Sequence, residues 1–231
     1  MQTAGRNWMV CSNSVLQDAA MNVLELPPIR PSSRHASRNP LTAPAAHQWT
    51  AAEPGKPIFL HDGAMLLLRP IAPGDVEALM RAFKRMTPEQ VRARVFHALS
   101  ELPAPVARAM CQVDPGQAVA LVATDPDGAE IRGEARVHFD AVTLAAELAL
   151  AIDPQFIGKG LGRILVEHLI RAARAHGMRE IWGDTQAGNF AMLALTRRLG
   201  FTHDRKRDDA SLVRFFLNLD SAAAHELDTS S

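Results

Sequence analysis

The stretch DPQFIGKGLGRILVEHLIRAARAHG, Asp153–Gly177, narrows the possible folds more than any other part of the chain. Gly158, Gly160 and Gly162 alternate immediately before an amphipathic helical pattern. Glycine weakens a helix by about 1 kcal/mol relative to alanine, so a helix that opens on several of them needs bare backbone there. Ahead of the loop, TLAAELALAI alternates in the manner of a β-strand. A strand that feeds a glycine turn and then a helix belongs to an α/β fold. The start of such a helix exposes unpaired N–H groups and a partial positive charge, an arrangement suited to phosphate.

Two familiar phosphate motifs do not fit. A P-loop requires G-x-x-x-x-G-K followed by Ser or Thr, and that spacing does not occur in the chain. A dinucleotide fingerprint, G-x-G-x-x-G, opens a βαβ unit, whereas these glycines alternate and follow three consecutive strand patterns.

Around the loop, residues 57–220 read as one mixed α/β domain. Ala64–Ile71 is a short strand. Asp75 precedes a helical pattern of Val76, Leu79, Met80 and Phe83. Thr87, Pro88 and Gln90 form the capping-box arrangement of a second helix, and Pro105–Val113 suits a short further one. Strands are expected at Gln117–Thr124, Glu130–Phe139, Thr143–Ile152, Glu180–Thr185 and Ser211–Leu219, with a helix over Asn189–Leu199. Residues 1–56 are dense in Pro, Ser, Ala and Arg without periodicity, which predicts a disordered or loosely attached extension within which Met21 offers an alternative start. Residues 221–231 read as a tail.

Charge narrows the function classes. Twenty-five basic residues balance 25 acidic ones, which gives no support to a nucleic-acid or anionic-membrane partner. The apolar runs are too short to span a bilayer, and the first residues lack the continuous apolar core of a secretory signal. The two cysteines, Cys11 and Cys111, lie far apart, which fits a reducing cytoplasm rather than a disulfide framework. His168 and His176 are eight residues apart with no ligand pattern between them, so no metal site is expected.

The segment Ile157–Gly162 resembles the cofactor motif of the GNAT superfamily of N-acetyltransferases, Q/R-x-x-G-x-G/A, with Gly160 and Gly162 in place and Ile157 at the Gln/Arg position. NFAMLALTRRLGF resembles the superfamily's second signature, N-x6-Y-x3-G-F: Asn189, Gly200 and Phe201 match, and Thr196 stands at the tyrosine. The resemblance runs from about Phe59 to Leu219. Through LRPIAPGD, VFHALSEL, ALVAT, AELALAI and GKGLG it is closest to the GNAT modules of bacterial protein lysine acetyltransferases.

This resemblance implies a GNAT fold, a mixed central sheet flanked by helices, and transfer of acetyl from acetyl-CoA to an amine, with a protein lysine favoured. It implies that the backbone of Ile157, Gly158, Lys159, Gly160, Leu161, Gly162 and Arg163 holds the pyrophosphate. Asn189 reaches the pantetheine arm or caps its helix. A backbone N–H within Leu150, Ala151 and Ile152 stabilises the oxyanion. Lys159 and Arg163 either touch phosphate or are solvated charges.

A lysine with a pKa near 10.4 is almost wholly protonated at neutral pH, so a base is needed. Glu147 lies ten residues before Ile157, where the resembling enzymes carry theirs. It shares its strand face with Ala145, Ala149 and Ala151, a surface of small residues that could admit a substrate, though a merely solvated glutamate reads the same way. Glu134, on the neighbouring strand, is expected to be a surface charge and is the fallback base. The chain contains no tyrosine, so the usual proton donor to the departing thiolate is missing. The alternative is a catalytically weak module that binds acetyl-CoA and reports it to a partner.

Overall fold

In the computed structural model, which describes residues 9–11, 55–87, 102–205 and 211–220, the apolar alternation of 117–152 becomes three antiparallel strands. Among the described residues nine strands form one sheet: β1 (Met9–Cys11), β2 (Lys56–Phe59), β3 (Met65–Pro70), β4 (Ala118–Thr124), β5 (Ile131–Asp140), β6 (Ala145–Ile152), β7 (Glu180–Gln186), β8 (Thr202–Arg205) and β9 (Leu212–Asn218). Their order is β2-β3-β4-β5-β6-β7-β9-β8, with β1 beside β6. The helices are α1 (Val76–Lys84), α2 (Ala104–Cys111), α3 (Leu161–Ala175) and α4 (Phe190–Arg198).

Every pairing is antiparallel except that of β6 with β7. A parallel pair needs a crossover, and α3 supplies it. The parallel ladder joins Ala145–Glu147 to Glu180–Trp182 and ends there. Beyond it the outer edge of β6 pairs with β1, Met9 opposite Ile152 and Cys11 opposite Leu150.

The sheet is covered on both faces, so its central strands read as apolar runs. On one face Leu148, Leu150 and Ile152 meet Leu161, Leu165, Val166 and Leu169 of α3. On the other, Leu79 and Phe83 of α1 and Val106 and Met110 of α2 lie over Ala120, Val122, Ile131 and Ala151. Cys111 belongs to this second core, as a small apolar residue would; burial pushes its thiol up to about 11. Among the described residues no helix is long and apolar enough to cross a membrane.

The expected strands and the helices at Val76, Pro105, Leu161 and Asn189 all form within a few residues of their expected bounds. Strands β2 and β8 were not expected. Each spans four residues, too few to show alternation, and β2 contains Pro57 while β8 is polar throughout. β2 also starts one residue inside the expected extension, and β1 lies well within it. An unpaired sheet edge attracts an extended segment with little regard to its composition. The capping-box helix after Thr87 falls outside the described residues, as do the C-terminal tail and most of residues 1–54.

Candidate active site

Strand β6 delivers the glycine loop. Asp153 ends the strand and accepts the Gln155 N–H at 3.1 Å, closing a single 3-10 turn over Pro154–Phe156. The chain then reverses through Gly158 at φ +79° and Gly160 at φ +96°, a region open to glycine at low cost. Gly160 is the N-cap of α3, and no side chain among the described residues caps that helix. The amides of its first turn are therefore left for another acceptor. Packing holds the loop from outside: His61, in the turn between β2 and β3, donates its N–H to the Lys159 carbonyl at 3.0 Å.

Gly160 has a second constraint. A Cβ there would stand 2.8 Å from His61 Nε2, whereas at Gly158 it would meet nothing within 4 Å among the described residues. Gly160→Ala and Gly158→Ala are each expected to cost roughly the 1–2 kcal/mol of a left-handed alanine, and Gly160→Ala also to turn aside the exposed His61 ring. Urea denaturation of the two variants measures both costs.

The two expected phosphate cations flank this loop and are paired. Lys159 Nζ is 2.8 Å from Asp62 and 5.3 Å from the centre of the Phe156 ring. Arg163 Nε is 2.7 Å from Glu167, one helical turn on. Lys159 holds the Asp62 carboxyl below the usual carboxylate range, chiefly by hydrogen bonding. Exposed pairs of this kind are worth about 0–1 kcal/mol, so a doubly charged ligand can draw the cations away. Ile157 is half-buried and packs on the α3 side of the core, so its side chain faces inward.

Glu147 is buried, 7 % exposed, which rules out the solvated reading. Its cross-strand neighbours are His138 on β5 and Trp182 on β7. Beside Trp182 stands a polar wall that sequence reasoning missed. The Arg214 guanidinium lies 4.1 Å from the Trp182 ring centre and donates two hydrogen bonds of 3.0 Å to Asp184. Asp184 raises the Arg214 pKa further, burial opposes it, and the charges of Glu147 and Glu180 add to it. The link is the register of β7 with β9, which pairs Asp184 with Arg214. Nothing local to either strand indicates it.

The alanines beside Glu147 need a different explanation from the one expected. Ala149 and Ala151 are fully buried, not a surface open to substrate. Opposite them on β5 are Arg136 and Glu134, in register. Glu134 is 2 % exposed and accepts the Arg136 Nε–H at 2.6 Å, while Arg136 also donates to the Met110 carbonyl at 3.2 Å. Glu134 is therefore not a surface charge, and its pairing removes it as a fallback base. The alanines are small because two long charged side chains lie across from them.

Asn189 caps α4, accepting the Met192 N–H at 3.2 Å and donating from Nδ2 to the Thr185 hydroxyl at 3.1 Å. Thr196, at the tyrosine position, is fully buried and donates to the Met192 carbonyl at 2.9 Å. Its oxygen is 2.8 Å from His203 Nε2 on β8, a neighbour the sequence did not suggest because β8 itself was unread. Burial lowers the His203 pKa, and the charge of Arg197 adds to this. Among the described residues no cluster of three or more His, Cys, Asp or Glu could hold a metal ion.

Comparison with known proteins bears on this arrangement. The acetyltransferase (GNAT) family profile matches residues 76–201. An acetyltransferase of Pseudomonas aeruginosa is 30% identical over 156 residues, 67% of this chain and 84% of that protein. The ribosomal protein bS18 alanine N-acetyltransferase of Salmonella typhimurium is 44% identical over 66 residues, 29% of this chain and 43% of that enzyme. Among solved structures, the GNAT domain of S. lividans PAT superimposes with a TM-score of 0.63 at 25% identity, covering 71% of this chain and 96% of that one. A Salmonella typhimurium acetyltransferase solved with acetyl-CoA shares the fold, with a TM-score of 0.52 at 22% identity over 67% of this chain and 94% of that one.

Proposed function

Because the chain belongs to the GNAT acetyltransferase family, acyl-CoA-dependent N-acyltransferases that use acetyl-CoA, we propose that its acceptor is a protein lysine and that Glu147 is its general base. The observation that carries this reading is the course of β6. One strand holds a buried carboxylate at Glu147 and, past its end, an uncapped helix start behind two left-handed glycines. The pyrophosphate of acetyl-CoA binds the first-turn amides of α3, and Asn189 holds the pantetheine arm from the other side.

In the reaction Glu147 takes a proton from the acceptor ammonium. The amine nitrogen then bonds to the thioester carbon, and the oxyanion is held by a backbone N–H within Leu150–Ile152. The carbon–sulfur bond breaks, coenzyme A leaves as a thiolate, and the second proton of the former amine passes from the amide nitrogen to that thiolate, directly or through water. Thr196, at the tyrosine position of the sequence motif, donates its hydroxyl hydrogen to the Met192 carbonyl instead. The wall of Trp182, Asp184 and Arg214 flanks the acceptor.

The closeness of AELALAI and GKGLG to protein lysine acetyltransferases supports a protein acceptor. A second reading, a weak acetyl-CoA-binding module, is favoured by Ile157 at the Gln/Arg position and by the threonine in place of tyrosine. Calorimetric titration of acetyl-CoA, with NAD and ATP as controls, tests both. One-to-one binding of acetyl-CoA, and of neither control, is expected. Absence of binding at millimolar concentration overturns both readings. Acetylation of lysine peptides, compared with peptide N-termini and small amines, then separates enzyme from sensor.

A further inference from the structure

We infer that Met9–Cys11 is a built-in gate on the acetyl-CoA site, occupying the β6 edge that the pantetheine arm must use. The inference rests on the functional reading above and adds a regulatory element to it. Three placements meet at one point. The parallel ladder of β6 with β7 stops at Glu147 and Trp182. Beyond that point Met9, Val10 and Cys11 pair with Ile152, Ala151 and Leu150, the residues assigned to the thioester and its oxyanion. The same strand also lies beside β7 and α4, the helix that Asn189 caps. It therefore runs between the two sets of groups expected to hold the pantetheine arm.

The chemistry explains why one edge accepts either occupant. Leu150, Ala151 and Ile152 are at most 1 % exposed, and backbone groups so enclosed must find hydrogen-bond partners. A β-strand supplies them with peptide amides. The pantetheine arm is itself an extended chain with two amides, so it satisfies the same row. Both cannot be present at once.

Displacement is feasible because β1 spans three residues among those described. So short a strand contributes few hydrogen bonds against the entropy of ordering it. The apparent affinity for acetyl-CoA is the intrinsic affinity reduced by the fraction of molecules with the edge open. Anything that captures the N-terminal segment, such as a partner protein that binds it as an extended peptide, raises that fraction and activates the enzyme.

Val10→Pro/Cys11→Pro in the full chain tests this. Alternate N–H groups of a strand face the same neighbour, so replacing two consecutive residues by proline removes one donor on the β6 side whatever the phase. Acetyl-CoA is expected to bind this variant at least about fivefold more tightly, and a synthetic peptide of residues 1–20 to compete with it. In the unaltered chain, saturating acetyl-CoA should speed hydrogen exchange in the segment containing Met9–Cys11 while slowing it in Gly158–Arg163. Equal affinity of the two chains, with exchange at Met9–Cys11 unchanged at saturation, overturns the gate and leaves the enzyme reading in place. Failure of both chains to bind acetyl-CoA overturns the enzyme reading, and the gate with it. If the variant does not fold, the exchange result decides the matter by itself.

Discussion

Glu147→Gln should lower the turnover number for acetyl transfer by about 10²–10⁴-fold, the range a positioned general base supplies, with acetyl-CoA affinity unchanged. Glutamine has the same shape and keeps the contacts with the strands of His138 and Trp182, so the site stays folded around it. What it loses is the capacity to take a proton. The pH dependence distinguishes this from a structural role. Near pH 7 nearly every lysine is charged, and the fraction of neutral amine grows tenfold per pH unit until the amine pKa near 10.4. The variant's deficit should therefore narrow as pH rises, because the solvent has already done the work of the base. A deficit constant with pH, or a parallel loss of acetyl-CoA binding, would remove Glu147 from the base role. Steady-state rates on a lysine peptide between pH 6.5 and 9.5, with calorimetry beside them, measure both.

Arg136→Met should be among the most destabilising single substitutions, at about 3–5 kcal/mol, because it breaks a buried ion pair from one side. Arg136 and Glu134 are respectively 3% and 2% exposed at their side chains and joined at 2.6 Å. Removal of the arginine takes from the buried Glu134 carboxylate its cationic partner at 2.6 Å, and also frees the Met110 carbonyl that ties α2 to the sheet. The double variant Glu134→Gln/Arg136→Met removes both charges and should recover most of the loss. In a domain of this size 3–5 kcal/mol corresponds to a fall in Tm of roughly 6–20 °C. A double-mutant cycle by urea denaturation separates the pairing from the loss of packing. Additive single losses would show that the pair is not coupled.

Much of the β6–α3 region was legible before folding. Leu148, Leu150 and Ile152 do face one core, and the glycines do sit at the uncapped start of α3. The local pattern suffices there because strand alternation, left-handed glycine and helix periodicity are all properties of a few neighbouring residues. The alanines of β6 misled because a small side chain leaves room without indicating what fills it. In this fold the occupants are Glu134 and Arg136, supplied by the antiparallel register with β5.

The parts that stayed hidden share one physical cause. Asp184 meets Arg214 across β7 and β9, Thr196 meets His203 across α4 and β8, and Leu150–Ile152 meet Met9–Cys11 across some 140 residues of chain. Local sequence determined the strand, the glycine turn and the amphipathic helix, since alternation, positive φ and helical period are each written into a few neighbouring residues. Tertiary structure alone decided which buried charge has a partner, which threonine has a histidine, and what fills the edge of β6. Those are pairings between distant segments. A hydrogen bond or ion pair there is set by strand order and register, and neither of the two segments carries any trace of the other.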